Sequence, residues 1–439
     1  MKDKKSIRAI IYFSAVCFIY TTTMSMLNRD IAGSIEGQHL FLYMIQSLAL
    51  AVGMILYPLF VQTIKISGRA ANVLNITSCV LYIVGILSLR YNNNYTYVLV
   101  MMILIPMSMG YSQGISYVRF ALELHDKGTM GRSLGLSLGI SILLQYFLQI
   151  RSNTGIFLLL IMCGLQAGLV VFELQPGREN DKPVPAKGQN HGFFHMIAIA
   201  GCLIMLANYL DGQISLLLDT TDFFSWPRLL YGIGFIAMGF LCDMKRTEIP
   251  PITMLISAVV AILMPALLTD VDFHTFDICF FYFYLGLCVV YNTFRLMRYS
   301  AAGQNMYAAV AYRAIDNFLT GLLVLVGFSK LPQLTALIIN TVLLAVTVLL
   351  VWKEGARVRN VSGVAVSGED RKNAFADKYR LTDREKEVLD LLITKDEKGD
   401  DMAKELGVSR RGFVSLTSSI YRKTDTGSRV ALLQKYMSE

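Results

Sequence analysis

Apolar runs of roughly 18 to 25 residues, broken by short polar stretches, recur along the first 352 residues of this 439-residue chain. Each is about the length a helix needs to cross about 30 Å of hydrocarbon. Twelve fit, near 8–28, 39–64, 70–89, 95–118, 133–150, 154–173, 193–218, 223–243, 249–269, 274–297, 305–328 and 331–352. A sequence so patterned is committed to a helical membrane bundle. Its 54% hydrophobic and 16% charged residues lie well outside the soluble range.

Lys2, Lys4, Lys5 and Arg8 precede the first run and could mimic the start of a signal peptide. That run is too long for a secretory apolar region of about 7–15 residues, and eleven more follow, so it reads as a span. With the N-terminus inside, the inner loops hold Lys65, Arg69, Arg119, Lys127, Arg132, Arg178, Lys182, Lys187, Lys245, Arg246, Arg295 and Arg298. The outer loops hold Arg29, Arg90, Arg151 and Lys330 beside Asp219, Asp222, Asp270 and Asp272. This positive-inside bias predicts a cytoplasmic N-terminus, and an even span count returns the C-terminus there too. The net charge of +8 mostly reflects these loops and says nothing of nucleic acid.

Several chemistries lack support. The seven cysteines lie in apolar runs without C-x-x-C spacing and read as small hydrophobes. His191 and His195 stand i, i+4 but lack a third ligand, so interfacial histidines are the expectation rather than a metal site. No Walker loop, G-x-S-x-G, H-E-x-x-H, kinase signature or zinc motif occurs. The chain is expected to be no enzyme and to need no cofactor.

The polar stretch Gln175–Gly192, with Pro176, Pro183 and Pro185, divides the spans six and six. After the eighth span the chain reads Gly239-Phe-Leu241-Cys-Asp243-Met-Lys245-Arg246. This resembles the G-x-L-x-D-R loop signature of major facilitator superfamily transporters. The equivalent first-half loop, Lys65-Ile-Ser-Gly68-Arg69, keeps only the closing Gly-Arg and has Lys65 where the acid is expected. The resemblance covers residues 1–352 and implies two six-helix halves around a central cavity with sites near the midplane.

Ionisable groups inside spans are costly and usually face a cavity or a partner. Asn208, Asp211 and Ser215 share a face of the seventh span, Arg228 follows Pro227 on the eighth, and Arg313 and Asp316 stand three apart on the eleventh. The first half offers only amides such as Gln46, Gln113 and Gln145. The superfamily resemblance puts the seventh, eighth and eleventh spans beside the cavity. Asn208, Asp211, Arg228, Arg313 and Asp316 are therefore the candidate contacts to a polar small molecule. Internal pairing of Arg313 with Asp211 or Asp316 is the alternative, and the two are compatible.

Residues 353–379, with Gly363, Ser367 and Gly368 among charges, are expected to form a flexible tether. Beyond it, Thr382-Asp-Arg-Glu385 is a capping box opening a helix with Val388, Leu389, Leu391 and Leu392 on one side. A short helix with Met402, Ala403 and Leu406 leads through Gly407-Val408-Ser409 to a third, from about Arg410 to Lys423. Phe413, Leu416, Thr417 and Ile420 are its inner residues, and Arg411, Ser415, Ser418 and Arg422 its outer ones. A last helix carries Val430, Leu432, Leu433 and Tyr436.

The order is that of a helix-turn-helix, whose second helix enters the major groove. Leu381-Thr-Asp-Arg384-Glu385-Lys-Glu387-Val388-Leu389, Leu406-Gly-Val-Ser409, Ile420-Tyr421-Arg-Lys423 and Ser428-Arg429 resemble the LuxR-type regulators over about fifty-five residues. The resemblance implies DNA binding through Arg410, Arg411, Ser415, Ser418, Arg422 and Lys423, and pairing of two copies through the last helix by Leu432, Leu433 and Tyr436. The departures fall at the contact surface. Val414 and Leu416 replace the family's usual Lys and His, and Gly399-Asp400-Asp401 replaces Asn-Lys-Glu. Twelve basic and eleven acidic residues over 380–439 predict weak DNA binding by a single copy.

The sequence thus predicts an all-α chain. A twelve-helix bundle (1–352) and a tether (353–379) precede a LuxR-type domain (380–439). The function expected is a bacterial membrane-embedded transcription regulator sensing a small molecule. A transporter with a regulatory or vestigial tail, and a tail that binds protein, are the alternatives.

Overall fold

The structure is a computed structural model. It describes the chain apart from residues 1–3, 29–38, 93, 125–127, 152–154, 175–190, 218–225, 245, 247, 268–273, 302–304, 327–332, 395–398 and 439. The proline-rich central loop and the outer-loop residues Arg29, Asp219, Asp222, Asp270, Asp272 and Lys330 lie outside the described residues. So do the side chains of Asp211, Ser215 and Val430. The chain is helical and divides into two compact units, Met1–Val351 and Trp352–Glu439.

The first unit contains α1 (Lys4–Met26), α2 (His39–Pro58), α3 (Gly68–Ser88), α4 (Tyr95–Leu124), α5 (Met130–Arg151), α6 (Gly155–Glu173), α7 (His191–Leu217), α8 (Leu229–Cys242), α9 (Ile249–Leu267), α10 (His274–Ala301) and α11 (Met306–Val326). It also takes the first part of α12 (Gln333–Lys378). Among the described residues, eight helices are long and apolar enough to cross a membrane, and the apolar parts of α7, α8 and α9 are shorter. A helix stands at each of the twelve stretches where a span is expected. α11, interrupted by Arg313 and Asp316, belongs neither to those eight nor to the three shorter apolar helices.

Packing within the unit repeats after six helices. The contacts α1–α5, α2–α4 and α3–α4 of the first half recur as α7–α11, α8–α10 and α9–α10 in the second. The same shift maps the cross-half contact α5–α8 onto α11–α2. Lipid offers no hydrophobic drive between helices, so these crossings depend on close van der Waals approach at small residues. At α5–α8 a Cβ on Gly135 would stand 2.4 Å from the Phe235 carbonyl oxygen, and one on Gly239 would stand 2.6 Å from that of Gly131. A side chain at either position would force the halves apart.

After Pro58, α2 continues as a π-helical turn, Leu59–Ile64, and ends at Lys65 in a left-handed conformation (φ 59°). Proline lacks the N–H for a regular bond, and wide turns of this kind re-aim side chains. Here the turn brings Gln62 to the start of α11, where its Oε1 accepts the Met306 N–H at 2.8 Å.

In the second unit, α12 runs without a break to Lys378, and α13 (Asp383–Thr394), α14 (Gly399–Glu405), α15 (Arg410–Lys423) and α16 (Arg429–Ser438) follow. The helix covers residues 353–378, where the sequence reading expects a flexible tether. Gly363 and Gly368 each cost a helix about 1 kcal/mol without ending it, and no proline occurs between Pro332 and the end of the chain. The packed module also starts earlier than residue 380. Phe375 and Ala376, at the end of α12, share a core with Leu381, Val388, Leu389, Leu392, Met402, Ala403, Phe413, Ile420 and Leu432.

The capping box forms as its spacing predicts: the Thr382 N–H donates to Glu385 Oε2 at 2.7 Å, and the Glu385 N–H donates to Thr382 Oγ1 at 3.4 Å. Gly407 takes φ +65° between α14 and α15. Ser409 caps α15 by accepting the Gly412 N–H at 3.1 Å. At the other end, Lys435 donates to the Thr424 carbonyl at 2.7 Å and Arg429 to that of Leu392 at 2.9 Å.

Candidate ligand site in the bundle and candidate nucleic-acid interface in the tail

Arg313 and Asp316 stand one turn apart on α11 and form an ion pair, Nη1 to Oδ2, at 2.9 Å. Helices of both halves surround it. Arg313 Nε donates to the Tyr117 hydroxyl of α4 at 3.4 Å, and the Tyr20 ring of α1 lies 5.6 Å from the guanidinium carbon. Tyr231 of α8 is within electrostatic reach of both charges. Asn317 donates to the Arg313 carbonyl at 2.7 Å and accepts from the Tyr20 hydroxyl at 3.4 Å. The Asp316 side chain is half-buried, with 23% of it accessible. Taking two charges out of water is expensive, and removing one partner strands the other, typically at about 3–5 kcal/mol.

Asn208 and Arg228 make hydrogen bonds of their own, and the side chain of Asp211 lies outside the described residues. Asn208 Oδ1 accepts from Thr320, two turns along α11, at 2.7 Å, and its amide nitrogen bonds the Ile204 carbonyl. It links α7 to α11. Arg228, in the short 3-10 turn Trp226–Arg228 before α8, donates to Gln145 Oε1 at 3.1 Å, and Gln145 donates to the Thr21 carbonyl at 3.0 Å. Internal pairing of Arg313 with Asp316 is therefore real. His195 Nε2 is hydrogen-bonded to the Leu350 carbonyl at 2.8 Å. Among the described residues no group of three His, Cys, Asp or Glu side chains is placed to hold a metal ion.

The reading that the first half carries only amides is corrected by Glu173. This buried carboxylate at the end of α6 accepts from Tyr12 of α1 and Asn75 of α3, and Arg119 of α4 stands 3.9 Å away. Tyr12 also hydrogen-bonds Ser116 at 3.0 Å. The acid ties four helices of one half together. In sequence it looks like an ordinary charge at the end of an apolar run.

In the tail, Arg411, Ser415, Ser418 and Arg422 form one exposed face of α15, as their spacing predicts, and have no ion-pair partner among the described residues. Two other cations assigned to this interface are engaged elsewhere. Arg410 pairs with Asp400 at 2.9 Å, both well exposed and so loosely held. Lys423 points inward, donating to Glu385 Oε2 at 2.6 Å and to the Arg380 carbonyl at 3.0 Å.

Burial alone would raise the Glu385 pKa. The bonds from Lys423, Ser419 and Thr382 outweigh it and hold the value at about 2. Lys423 is thus a brace within the module rather than a free cation. Of the three residues expected to pair two copies, Leu432 is fully buried in the module's own core and Tyr436 packs edge-on to Phe375 with centroids 5.4 Å apart, while Leu433 is half-buried and outside that core.

No family model and no curated protein sequence matches the chain. Its fold does match solved structures. One is the crystal structure of FucP, a Major Facilitator Superfamily transporter, in the outward conformation, at a TM-score of 0.56 and 11% identity over 79% of this chain and 98% of that one. Another is the human organic anion transporter MFSD10 (TETRAN), at 0.52 and 12% identity over 80% of this chain and 99% of that one. The chain is a multi-pass membrane protein whose bundle has the fold of these transporters.

Proposed function

We propose that this protein is a membrane-embedded transcription regulator. Its bundle binds a small molecule at the Arg313–Asp316 cluster, and its tail is a LuxR-type helix-turn-helix that binds DNA. The observation that carries the reading is the exposed face Arg411, Ser415, Ser418 and Arg422 on α15. That helix is capped by Ser409 and held on the Glu385–Lys423 brace, after a short helix and a glycine turn. Two arginines at the ends of such a face suit phosphate contact, with serines between them at the bases. The bias of Lys and Arg toward one set of loops supports a cytoplasmic tail, where the chromosome is. Ligand binding regulates DNA affinity only if the ligand prefers one bundle conformation and the tail responds to that conformation.

Chromosome crosslinking of the intact protein in its own cells tests this. Enrichment at discrete upstream regions, lost in Arg411→Ala/Arg422→Ala with protein level unchanged, is the expected result. An unenriched map for the unaltered protein would overturn the reading.

The transporter fold itself favours a second reading, in which the bundle moves its ligand and the tail only regulates it or is a vestige. The fold likeness supports that reading at least as well as the first, because it spans nearly all of FucP. Vesicle uptake after deletion of residues 356–439 separates them. Transport that persists, with no change in gene expression, selects the transporter.

A further inference from the structure

A guanidinium carries five N–H donors in a planar fork. In Arg313 the described residues take one Nη1 hydrogen, through Asp316, and Nε, through Tyr117 at 3.4 Å. Nη2 and the second Nη1 hydrogen have no acceptor among them. The hydroxyl hydrogens of Tyr117 and Tyr231 also have no acceptor there, and Asp316 offers one further oxygen, Oδ1. Donors outnumber acceptors. The Tyr20 ring of α1 has its centroid 5.6 Å from the Arg313 guanidinium carbon, and Tyr231 stands on α8 of the opposite half.

We propose that this cluster takes a small aromatic carboxylate, an inference that rests on reading the cluster as a small-molecule site. The carboxylate lies along the unspent edge of Arg313, where the fork matches two oxygens. The aryl group packs against Tyr20 and Tyr231, where offset or edge-on ring contact adds to the area buried. Asp316 already neutralises Arg313, so a bare inorganic anion gains little and the aromatic body must supply the rest. A cation finds only one carboxylate oxygen, itself offset by the arginine. Because α1 and α4 belong to one half and α8 and α11 to the other, the occupant touches both.

The test uses the full-length protein in detergent, with thermal stabilisation and equilibrium dialysis as readouts. The probes are benzoate and 3-phenylpropionate, against benzamide, cyclohexanecarboxylate, acetate and benzylamine. The aryl carboxylates are expected to bind and stabilise at concentrations where the amide, acetate and amine do nothing. Arg313→Lys is expected to weaken them at least tenfold, and Tyr20→Leu to remove the preference for benzoate over cyclohexanecarboxylate.

Should Arg313→Lys fail to fold, Asp316→Asn serves. It releases the competing carboxylate and is expected to tighten benzoate several-fold. Benzamide matching benzoate, or no probe binding, overturns the proposed class. Benzylamine binding that Asp316→Asn abolishes overturns the class but leaves a small-molecule site standing. Probe binding indifferent to Arg313→Lys and Asp316→Asn removes the site as well.

Discussion

Gln62 Oε1 accepts the backbone N–H of Met306 at 2.8 Å, so a side chain of the first half caps the first turn of α11 in the second. The counterpart lies six helices on. Asp243, at the end of α8, accepts the N–H groups of Gly131 at 2.7 Å and Arg132 at 2.8 Å and caps α5. Both clasps sit at the bundle end that carries Arg69, Arg132 and Arg246, and both cross between halves. They differ in chemistry. A carboxylate at a helix N-terminus makes charge-assisted bonds and complements the helix dipole, whereas an amide does neither as well. The acid expected at Lys65 in the loop signature is replaced by an amide three residues earlier.

The α2–α11 clasp is therefore the weaker one. Gln62→Glu is expected to raise the thermal midpoint, by the equivalent of about 0.5–1 kcal/mol. Asp243→Asn is expected to lose about 1–3 kcal/mol. The accompanying readout is alkylation of the buried Cys17 in inside-out vesicles, slower in the first variant and faster in the second. Equal effects of the two substitutions would contradict the asymmetry.

The buried pair Arg313–Asp316 makes a prediction about additivity. Arg313→Ala alone strands a carboxylate inside the bundle and is expected to cost about 3–5 kcal/mol. The double variant Arg313→Ala/Asp316→Ala strands nothing and is expected to be more stable than Arg313→Ala. Thermal unfolding of the four proteins of the cycle measures the coupling. A double variant as unstable as the two single losses added together would show that the charges do not act as a pair.

Hydrocarbon thickness made the bundle easy to read, because crossing it demands a run of apolar residues whatever packs around it. Contacts between runs were not readable. Glu173 looked like a flanking charge because nothing along α6 shows that α1, α3 and α4 aim Tyr12, Asn75 and Arg119 at it. Tyr20, Tyr117 and Tyr231 were hidden for a related reason: tyrosine occurs 22 times, so no one of them stands out. In the tail, the capping box and the face of α15 were legible from local spacing. The inward turn of Lys423 is also legible in spacing, since it continues the stripe Phe413, Leu416 and Ile420. Its partner, Glu385, is thirty-eight residues away in the chain.

Glu385 gives the tail a pH dependence of definite sign. Its pKa falls from 4.5 to about 2 on folding, so the stabilisation is fully present above 4.5 and is lost as pH falls through about 2. That difference corresponds to roughly 3 kcal/mol. Its core is built from its own residues, so a fragment of residues 369–439 serves for circular dichroism. Lys423→Met removes a bond to the carboxylate and is expected to move the acid-unfolding midpoint to higher pH while leaving the fragment folded at pH 7. An unchanged midpoint would remove Lys423 from the role of brace.

The face of α15 predicts a salt dependence for DNA binding. Each phosphate contact releases about one counterion, so the slope of log affinity against log salt counts contacts. Arg411→Ala and Arg422→Ala are each expected to flatten that slope by about 1 and to weaken binding across all sequences alike. Arg410→Ala should change it less, because Asp400 already offsets that charge. Val414 is 55% exposed beside these residues, an apolar side chain where a phosphate contact could be made. Val414→Lys is therefore expected to steepen the slope by about 1 and tighten binding at low salt. Fluorescence anisotropy of the 369–439 fragment with duplexes from its own upstream region, taken through a salt series, measures all four. If Val414→Lys and Arg411→Ala leave the slope where it was, this face of α15 does not meet DNA.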